Sequence, residues 1–256
     1  MLTTPRTLIA GNWKMNGTRA DLATLDAVSA GVSRDDVDVL VCPPAQLLAA
    51  AVERASGTRV AIGAQDCHAA ASGAHTGDIS AAMLADVGAT AVIVGHSERR
   101  SDHGERDRDV AAKANAVIGA GMTAIVCVGE TAGQREAGLA EIVAIRQMRA
   151  SLPQGATSTG NSTAHPAVVI AYEPVWAIGT GLVATPDDVA AMHAALRAAL
   201  VADFGDDGAA VQLLYGGSVK PDNAAALLSI DDVNGALVGG ASLKAEDFLG
   251  IIAAAP

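Results

Sequence analysis

The sequence predicts an α/β fold in which eight parallel strands close into a single (β/α)8 barrel. Eight short apolar segments recur along the 256 residues, and helical patterns separate them. Such alternation of strands and helices is typical of a parallel sheet. No shift in composition marks a boundary, so residues 1–256 are expected to form one domain, a common length for an α/β barrel. An open, doubly wound sheet is the alternative, and the number of segments favours the barrel.

The elements follow from local patterns taken in chain order. The strand candidates are short and rich in Val, Leu, Ile and Ala: 8–11, 37–42, 60–63, 91–94, 124–128, 168–172, 211–214 and 236–238. Thr18 is expected to begin a helix that ends at Gly31 and buries Leu22, Leu25 and Val28. Thr185 and Pro186 predict the start of another helix. Its buried positions are expected to be Val189, Met192, Leu196 and Leu200.

Composition and charge exclude several classes of function. Half of the residues are apolar but only 2% are aromatic, so the core must consist of small and aliphatic side chains. A formal net charge of −11 argues against nucleic acid or an anionic membrane as a partner. No apolar run reaches the length of a membrane span. Three cysteines without metal-binding spacing, and no signal-like N-terminus, predict a reduced, cytoplasmic protein.

The stretch 170–181, IAYEPVWAIGTG, is the candidate centre of the site. Glu173 stands at the end of an apolar strand, where desolvation is expected to raise the pKa of its carboxyl group and make it a usable base. Pro174 stiffens the chain after it, and the glycines further on allow movement. We therefore expect a base with a mobile lid attached. The alternative is a buried strand and an ordinary loop whose acid caps the next helix.

Other candidate residues follow the remaining strands, and a barrel gathers strand ends at one rim. Asn12 and Lys14 follow the first strand, and His96 follows the fourth at a predicted helix start, which disfavours the imidazolium form. Glycine-rich turns at 216–218 and 239–240 expose backbone amides that suit an anion. Taken singly, these features are also typical of a surface lysine, a core histidine and ordinary tight turns. Together they predict an active site.

Five motifs carry a resemblance to a known family. They are AGNWKMN at 10–16, GHSERR at 95–100, AYEPVWAIGTG at 171–181, YGGS at 215–218 and VGGAS at 238–242. In this order and spacing they resemble the triosephosphate isomerase family over nearly the whole chain. The resemblance implies a TIM barrel that interconverts dihydroxyacetone phosphate and glyceraldehyde 3-phosphate in glycolysis and gluconeogenesis through an enediolate. It also implies that the reaction needs no metal and no cofactor.

The resemblance implies a role for each rim residue. Glu173 would move the proton between two carbons, while neutral His96 would donate to the carbonyl oxygen. Lys14 and Asn12 would stabilise the charge on that oxygen, and Glu98 would orient Lys14. Tyr215, together with Ser218, would latch the lid, residues 174–184. Backbone amides would hold the phosphate, and they belong to Gly179, Ser218, Gly239 and Gly240.

The family is typically a homodimer, and the resemblance implies that the loop 65–80 reaches into the partner's site. Thr76 would stand at its tip, and Gln65 near the interface. The loop departs from the family pattern, since His75 replaces an aromatic residue and Asp78 replaces a glutamate. Leu182 replaces a lysine at the end of the lid. The first two changes bear on the strength of the dimer, and the third bears on lid motion.

Three functions are alternatives to a triosephosphate isomerase. A Schiff-base aldolase would need a lysine on a barrel strand, and none of the eight strand candidates contains one. A sugar-phosphate binder without catalysis would need the glycine turns but not Glu173, His96 and Lys14. An isomerase of a four-carbon ketose phosphate would use the same chemistry in a larger pocket, and it is the closest alternative.

Overall fold

The computed structural model of the protein describes residues 5–153, 167–178 and 182–256. Eight parallel strands form a closed barrel in sequence order, and β1 pairs with both β2 and β8. The strands are β1 (Thr7–Asn12), β2 (Val37–Cys42), β3 (Val60–Ala64), β4 (Ala91–Val94), β5 (Thr123–Val128), β6 (Val168–Tyr172), β7 (Gln212–Tyr215) and β8 (Gly235–Val238). Each matches a predicted strand to within one residue at either end. The closed barrel is confirmed, and the open sheet is excluded.

Helices surround the barrel. Those in the described ranges are α1 (Leu22–Gly31), α2 (Leu48–Ala55), α3 (Ala81–Val87), α4 (Ser97–Asp102), α5 (Asp107–Gly119), α6 (Ala132–Glu136), α7 (Ala140–Ser151), α8 (Pro186–Phe204), α9 (Asp206–Ala210), α10 (Pro221–Leu228) and α11 (Ala245–Ala253). Short 3-10 turns lie at Arg19–Asp21, Ala45–Leu47, Val175–Ala177 and Gly240–Leu243. Within the described residues, no helix is both long and apolar enough to cross a membrane.

Of the two helix starts predicted from the sequence, the one at Thr185 is found as predicted, and the one at Thr18 begins with a 3-10 turn. At α8, the Asp188 amide donates to the Thr185 hydroxyl and the Thr185 amide donates to the Asp188 carboxylate, which is a capping box. Thr18 caps a 3-10 turn rather than α1 itself, because Asp21 accepts from its amide and hydroxyl. The residues predicted to face the core from these helices are buried: Leu22, Leu25, Val28, Val189, Met192, Leu196 and Leu200.

The core has two parts, because successive strand residues point to opposite faces of the sheet. Inside the barrel lie Leu8, Ala10, Leu40, Cys42, Ala91, Ile93, Ile125, Cys127, Val169, Ala171, Leu214 and Leu237. Their strand neighbours, such as Ile9 and Val92, pack outward against the helices. Because side chains fill its interior, the barrel has no central pore. Polar residues at the strand ends can therefore gather only at its rim.

One buried polar residue lies outside the predicted helix pattern. His193 of α8 is fully buried, with Nδ1 3.1 Å from the Asp232 carbonyl oxygen. Burial lowers the pKa of this imidazole to about 4. Its ring meets Tyr172 edge-on at 6.0 Å. His193 is therefore a neutral core residue that packs α8 against the carboxyl end of strand β6, next to Glu173.

Candidate active site

The predicted catalytic residues meet in one cavity at the carboxyl ends of the strands. The cavity has a volume of about 790 Å³. Its lining includes the predicted residues Asn12, Lys14, His96, Glu173, Ser218, Gly239 and Gly240. Gly179, predicted from the same set, lies outside the described residues. Seven positions that span the sequence are thus brought together by the closure of the barrel.

A buried carboxylate and imidazole form the centre of this cavity. Glu173 and His96 are 2% and 6% exposed, and Glu173 Oε1 lies 2.8 Å from His96 Nε2. The Ser97 amide donates to Glu173 Oε2 at 2.8 Å. The Glu98 amide donates to His96 Nδ1 at 3.2 Å, so that nitrogen presents a lone pair. This pattern is that of a neutral imidazole whose Nε2–H donates to Glu173.

The two groups shift each other's pKa. Burial raises the pKa of Glu173, but the charge and hydrogen bond of His96 and the donors at Ser97 outweigh it, so the net shift is downward. The expectation of a raised pKa is therefore wrong for this arrangement. Burial lowers the pKa of His96, but the combined effect of Glu173 and Glu98 is larger, so the net shift is upward, opposite to the direction expected from the helix start. The carboxylate is therefore ionised while it contacts His96.

Glycines that follow the neighbouring strands leave the space that Glu173 occupies. A Cβ on Gly129, after β5, would lie 1.7 Å from the Glu173 carbonyl oxygen. A Cβ on Gly216, after β7, would lie 2.9 Å from Glu173 Cγ. Beneath them, burial and the Glu173 charge raise the pKa of the Cys127 thiol well above its ordinary value. Because the thiolate is the reactive form of cysteine, Cys127 is an inert core residue.

Lys14 is held in an uncommon backbone conformation. Its φ is +53°, in the left-handed region that costs a residue with a side chain about 1 kcal/mol or more. Asn12 Oδ1 accepts from the Lys14 amide at 3.0 Å, and Gln65 Nε2 donates to the Lys14 carbonyl at 2.9 Å. The Lys14 ammonium contacts Glu98 Oε1 at 2.5 Å. Backbone and ammonium are thus both fixed, and strain of this kind is common at functional sites.

The glycine turns form the other wall of the cavity. Gly239 and Gly240 lie at the start of the turn Gly240–Leu243, and a Cβ on Gly239 would lie 3.5 Å from Lys14 Cε. A Cβ on Gly217 would lie 2.1 Å from the Tyr215 hydroxyl oxygen, so this position has no room for a side chain. Exposed amides beside one ammonium group make a site for an anion.

Tyr215 and Thr76 occupy different surroundings. Burial raises the pKa of Tyr215 to about 12. Its hydroxyl is buried and has no hydrogen-bond partner among the described residues. Thr76 lies on an exposed loop and does not line the cavity around Glu173. The arrangement leaves Tyr215 with an unused donor at the rim, whereas Thr76 contributes nothing to its own chain's site.

A polar cluster that was not predicted from the sequence lies where the predicted lid begins. Glu130 is fully buried, and its Oε1 accepts from Trp176 Nε1 at 2.7 Å and from the Tyr172 hydroxyl at 3.1 Å. The Arg135 guanidinium stacks on the Trp176 ring at 4.6 Å and pairs with Asp188. Neither Glu130 nor Arg135 is among the residues predicted from the sequence. Only the position of Glu130 after β5 could have pointed to it.

Comparisons with known proteins agree on one family. A family model described as triosephosphate isomerase matches residues 7–255. A protein named triosephosphate isomerase from Bradyrhizobium sp. (strain BTAi1 / ATCC BAA-1182) is 58% identical over 249 residues, which cover 96% of each chain. A protein of that name from Ruegeria pomeroyi is 56% identical over 250 residues, 97% of each chain. The solved structure of triosephosphate isomerase from Bartonella henselae is 48% identical, with a TM-score of 0.89 over 97% of this chain and 98% of that one.

The contact between Glu173 and His96 predicts how the imidazole titrates. Replacing the carboxylate in Glu173→Gln removes the charge that raises the pKa of His96, while burial still lowers it. We expect the pKa of His96 to fall, as measured by NMR titration of its ring carbons. In the control Glu98→Gln the fall should be smaller, because Glu98 has the weaker influence and is half exposed. An unchanged pKa in Glu173→Gln would contradict the pairing.

Proposed function

The chain belongs to the triosephosphate isomerase family, and we propose that Glu173, His96 and Lys14 perform the isomerisation for which the family is named. The protein is an isomerase that interconverts dihydroxyacetone phosphate and glyceraldehyde 3-phosphate, a step of glycolysis. The assignment of residues rests mainly on one observation, the contact of 2.8 Å between the buried Glu173 and His96. We further propose that residues 1–256 form one domain.

Glu173 would act as the base. Its carboxylate is ionised, and Gly216 leaves room beside its Cγ for the side chain to turn from His96 toward a substrate carbon. It would take a proton from the carbon beside the carbonyl group and return it to the neighbouring carbon. A positioned carboxylate base of this kind contributes about 10²- to 10⁴-fold to a rate.

His96, Lys14 and Asn12 would stabilise the enediolate. The Glu98 amide occupies His96 Nδ1, which supports an imidazole that donates from Nε2 to the substrate's carbonyl oxygen. When Glu173 turns to the substrate, its upward influence on the pKa of His96 weakens, and the neutral form is favoured further. The Lys14 ammonium and the Asn12 side chain would face the charge that develops on oxygen. Each well-placed donor contributes about 3 kcal/mol.

The phosphate would lie on the glycine wall. The amides of Ser218, Gly239 and Gly240 are proposed donors, with Gly179 of the lid as a fourth. Lys14 lies beside this wall and supplies a positive charge in a chain of net charge −11. The local donors are needed because the overall charge repels an anionic substrate at long range.

The lid, residues 174–184, would close the site. Triosephosphate isomerase is a standard example of an enzyme with such a closing loop. The buried Tyr215 hydroxyl, which has no partner among the described residues, is proposed to latch the closed lid together with Ser218. The cluster of Glu130, Trp176 and Arg135 would anchor the other end. Closure would keep water from the enediolate and so suppress loss of phosphate. We propose that the reaction uses no metal or cofactor.

The four-carbon alternative gains no support from the comparisons. The family model and the relatives described above are all named triosephosphate isomerase, an enzyme of three-carbon sugar phosphates. The cytoplasmic location remains our proposal, and it rests on the three cysteines, whose spacing suits neither a metal site nor a CxxC motif.

We also propose a homodimer in which Thr76 approaches the partner's site. A second cavity, of about 910 Å³, lies beside the first and is lined by Met15, Gln65 and Glu98 among others. Met15 is 95% exposed at its edge, an unusual place for a large apolar side chain. A loop from a second copy would cover it. The substitutions at His75 and Asp78 lie on this same loop.

The substitution Glu173→Gln tests the proposed base. The change keeps the shape of the side chain but removes the basic group, so we expect kcat to fall about 10³-fold with little change in KM. A coupled assay with glyceraldehyde 3-phosphate measures it, and a four-carbon ketose phosphate should turn over far more slowly. Glu53→Gln, an exposed change on α2, is the control. A Glu173→Gln enzyme with nearly full activity would refute the role of Glu173.

Light scattering at micromolar protein tests the dimer. We expect twice the mass of one chain, and a shift toward the monomer for Met15→Asp, because burying a new charge at the interface is costly. Ile142→Asp alters another exposed apolar residue, on α7, and should leave the dimer intact. A monomer mass for the unaltered chain would rule out the proposal.

A further inference from the structure

The glycine turn after β8 is held in place by a buried serine. Ser242 is only 1% exposed and lies in the turn Gly240–Leu243. Its hydroxyl donates to the Gly239 carbonyl oxygen at 2.7 Å, and its amide donates to the same oxygen at 2.9 Å. Gly239 and Gly240 line the cavity around Glu173, whereas Ser242 is not among the described residues that do so. The serine side chain thus contacts the turn from the side away from the cavity.

These two hydrogen bonds set the direction of a neighbouring amide. The Gly239 carbonyl and the Gly240 N–H belong to one peptide group, which is planar and trans, so the two point in opposite directions. Ser242 holds the carbonyl on the buried side of the turn, and the Gly240 N–H is therefore directed to the opposite, cavity side. A Cβ on Gly240 would meet no atom within 4 Å, so the space beside this residue is open to a ligand.

Ser242 is itself enclosed by β1 and α11. A Cβ on Gly11 in β1 would lie 2.8 Å from Ser242 Cβ and 3.3 Å from its hydroxyl oxygen. The same Cβ would lie 3.1 Å from Cζ of Phe248, a fully buried residue of α11. The serine therefore has little room to change rotamer. A hydroxyl in such surroundings needs a hydrogen-bond partner, and it finds one in the Gly239 carbonyl.

We propose that Ser242 is a positioning residue for the phosphate group, because its hydroxyl fixes the peptide group that presents the Gly240 amide. The inference rests on the proposed function, since it deepens the role given there to the amides of Gly239 and Gly240. The hydroxyl would act through the backbone and would not touch the phosphate. A positioning residue alters anion binding by the folded protein, whereas a purely structural residue alters only the free energy of unfolding.

The chain offers a matched control for this hydrogen bond. The Ser229 hydroxyl donates to the Ala226 carbonyl at 3.0 Å, and, as for Ser242, the acceptor lies three residues earlier in the chain. Ser229 is exposed, follows the last residue of α10 and is not among the described residues that line the cavity. Ser229→Ala therefore removes the same type of hydrogen bond away from the site.

Titration of the full-length protein with inorganic phosphate tests the proposal. NMR would follow binding through the backbone amide signals of Gly239 and Gly240, and a coupled assay with glyceraldehyde 3-phosphate would give KM and kcat. We expect Ser242→Ala to weaken phosphate binding about three- to tenfold, because one hydrogen bond that holds the turn is lost. KM should rise by a similar factor with a smaller change in kcat, since the phosphate is held in both the ground state and the transition state.

Ser229→Ala should match the unaltered protein in phosphate binding and in KM, and circular dichroism would show that both variants are folded. The proposal is overturned if Ser242→Ala binds phosphate as tightly as the unaltered protein, or if Ser229→Ala weakens binding as much. It is also overturned, together with the proposed phosphate site, if phosphate leaves the Gly239 and Gly240 signals of the unaltered protein unshifted.

A failure of the proposed function alone gives a different result. In that case phosphate would shift the Gly239 and Gly240 signals and Ser242→Ala would weaken its binding, yet the unaltered protein would not convert glyceraldehyde 3-phosphate. The role of Ser242 in anion binding would then stand, and the assignment of the isomerisation would not.

Discussion

The site depends on one hydrogen bond between buried groups, from His96 Nε2 to Glu173. A carboxylate that is only 2% exposed is costly to keep ionised, and here one imidazole and the Ser97 amide compensate for lost water. The short helix α4 supplies that amide and also the Glu98 amide that fixes the imidazole tautomer. The proposed base is thus held charged and in place.

Several other features of the rim reduce stability and suit the reaction. Lys14 has a left-handed backbone, the Tyr215 hydroxyl is buried without a partner among the described residues, and Glu130 Oε2 is in the same state. Each costs of the order of 1 kcal/mol or more. All three lie at or just after the carboxyl end of a barrel strand, which is the edge where a barrel builds its site and where local strain is expected. The filled barrel interior below supplies the stability that offsets them.

Much of the fold could be predicted because its signals are local. Apolar runs and capping residues such as Thr185 depend on neighbours in sequence, and the strands they predict are confirmed. That the candidate site residues meet in one cavity could be predicted because a barrel gathers its strand ends, and because their motifs resemble a known family. The direction of the Glu173 pKa shift could not be predicted, since it depends on the distance to His96. The stacking of Arg135 on Trp176 and the burial of His193 likewise arise only from tertiary contacts.

Isotope exchange most directly tests the proposal that Glu173 carries a proton between two carbons. The enzyme would convert glyceraldehyde 3-phosphate in deuterated water, and NMR of the dihydroxyacetone phosphate formed would locate the label. We expect solvent deuterium at the carbon that receives the proton, because a carboxylic acid exchanges with water during turnover. Complete retention of the substrate's hydrogen would indicate a direct hydride shift. That result would contradict the role of Glu173 as the base.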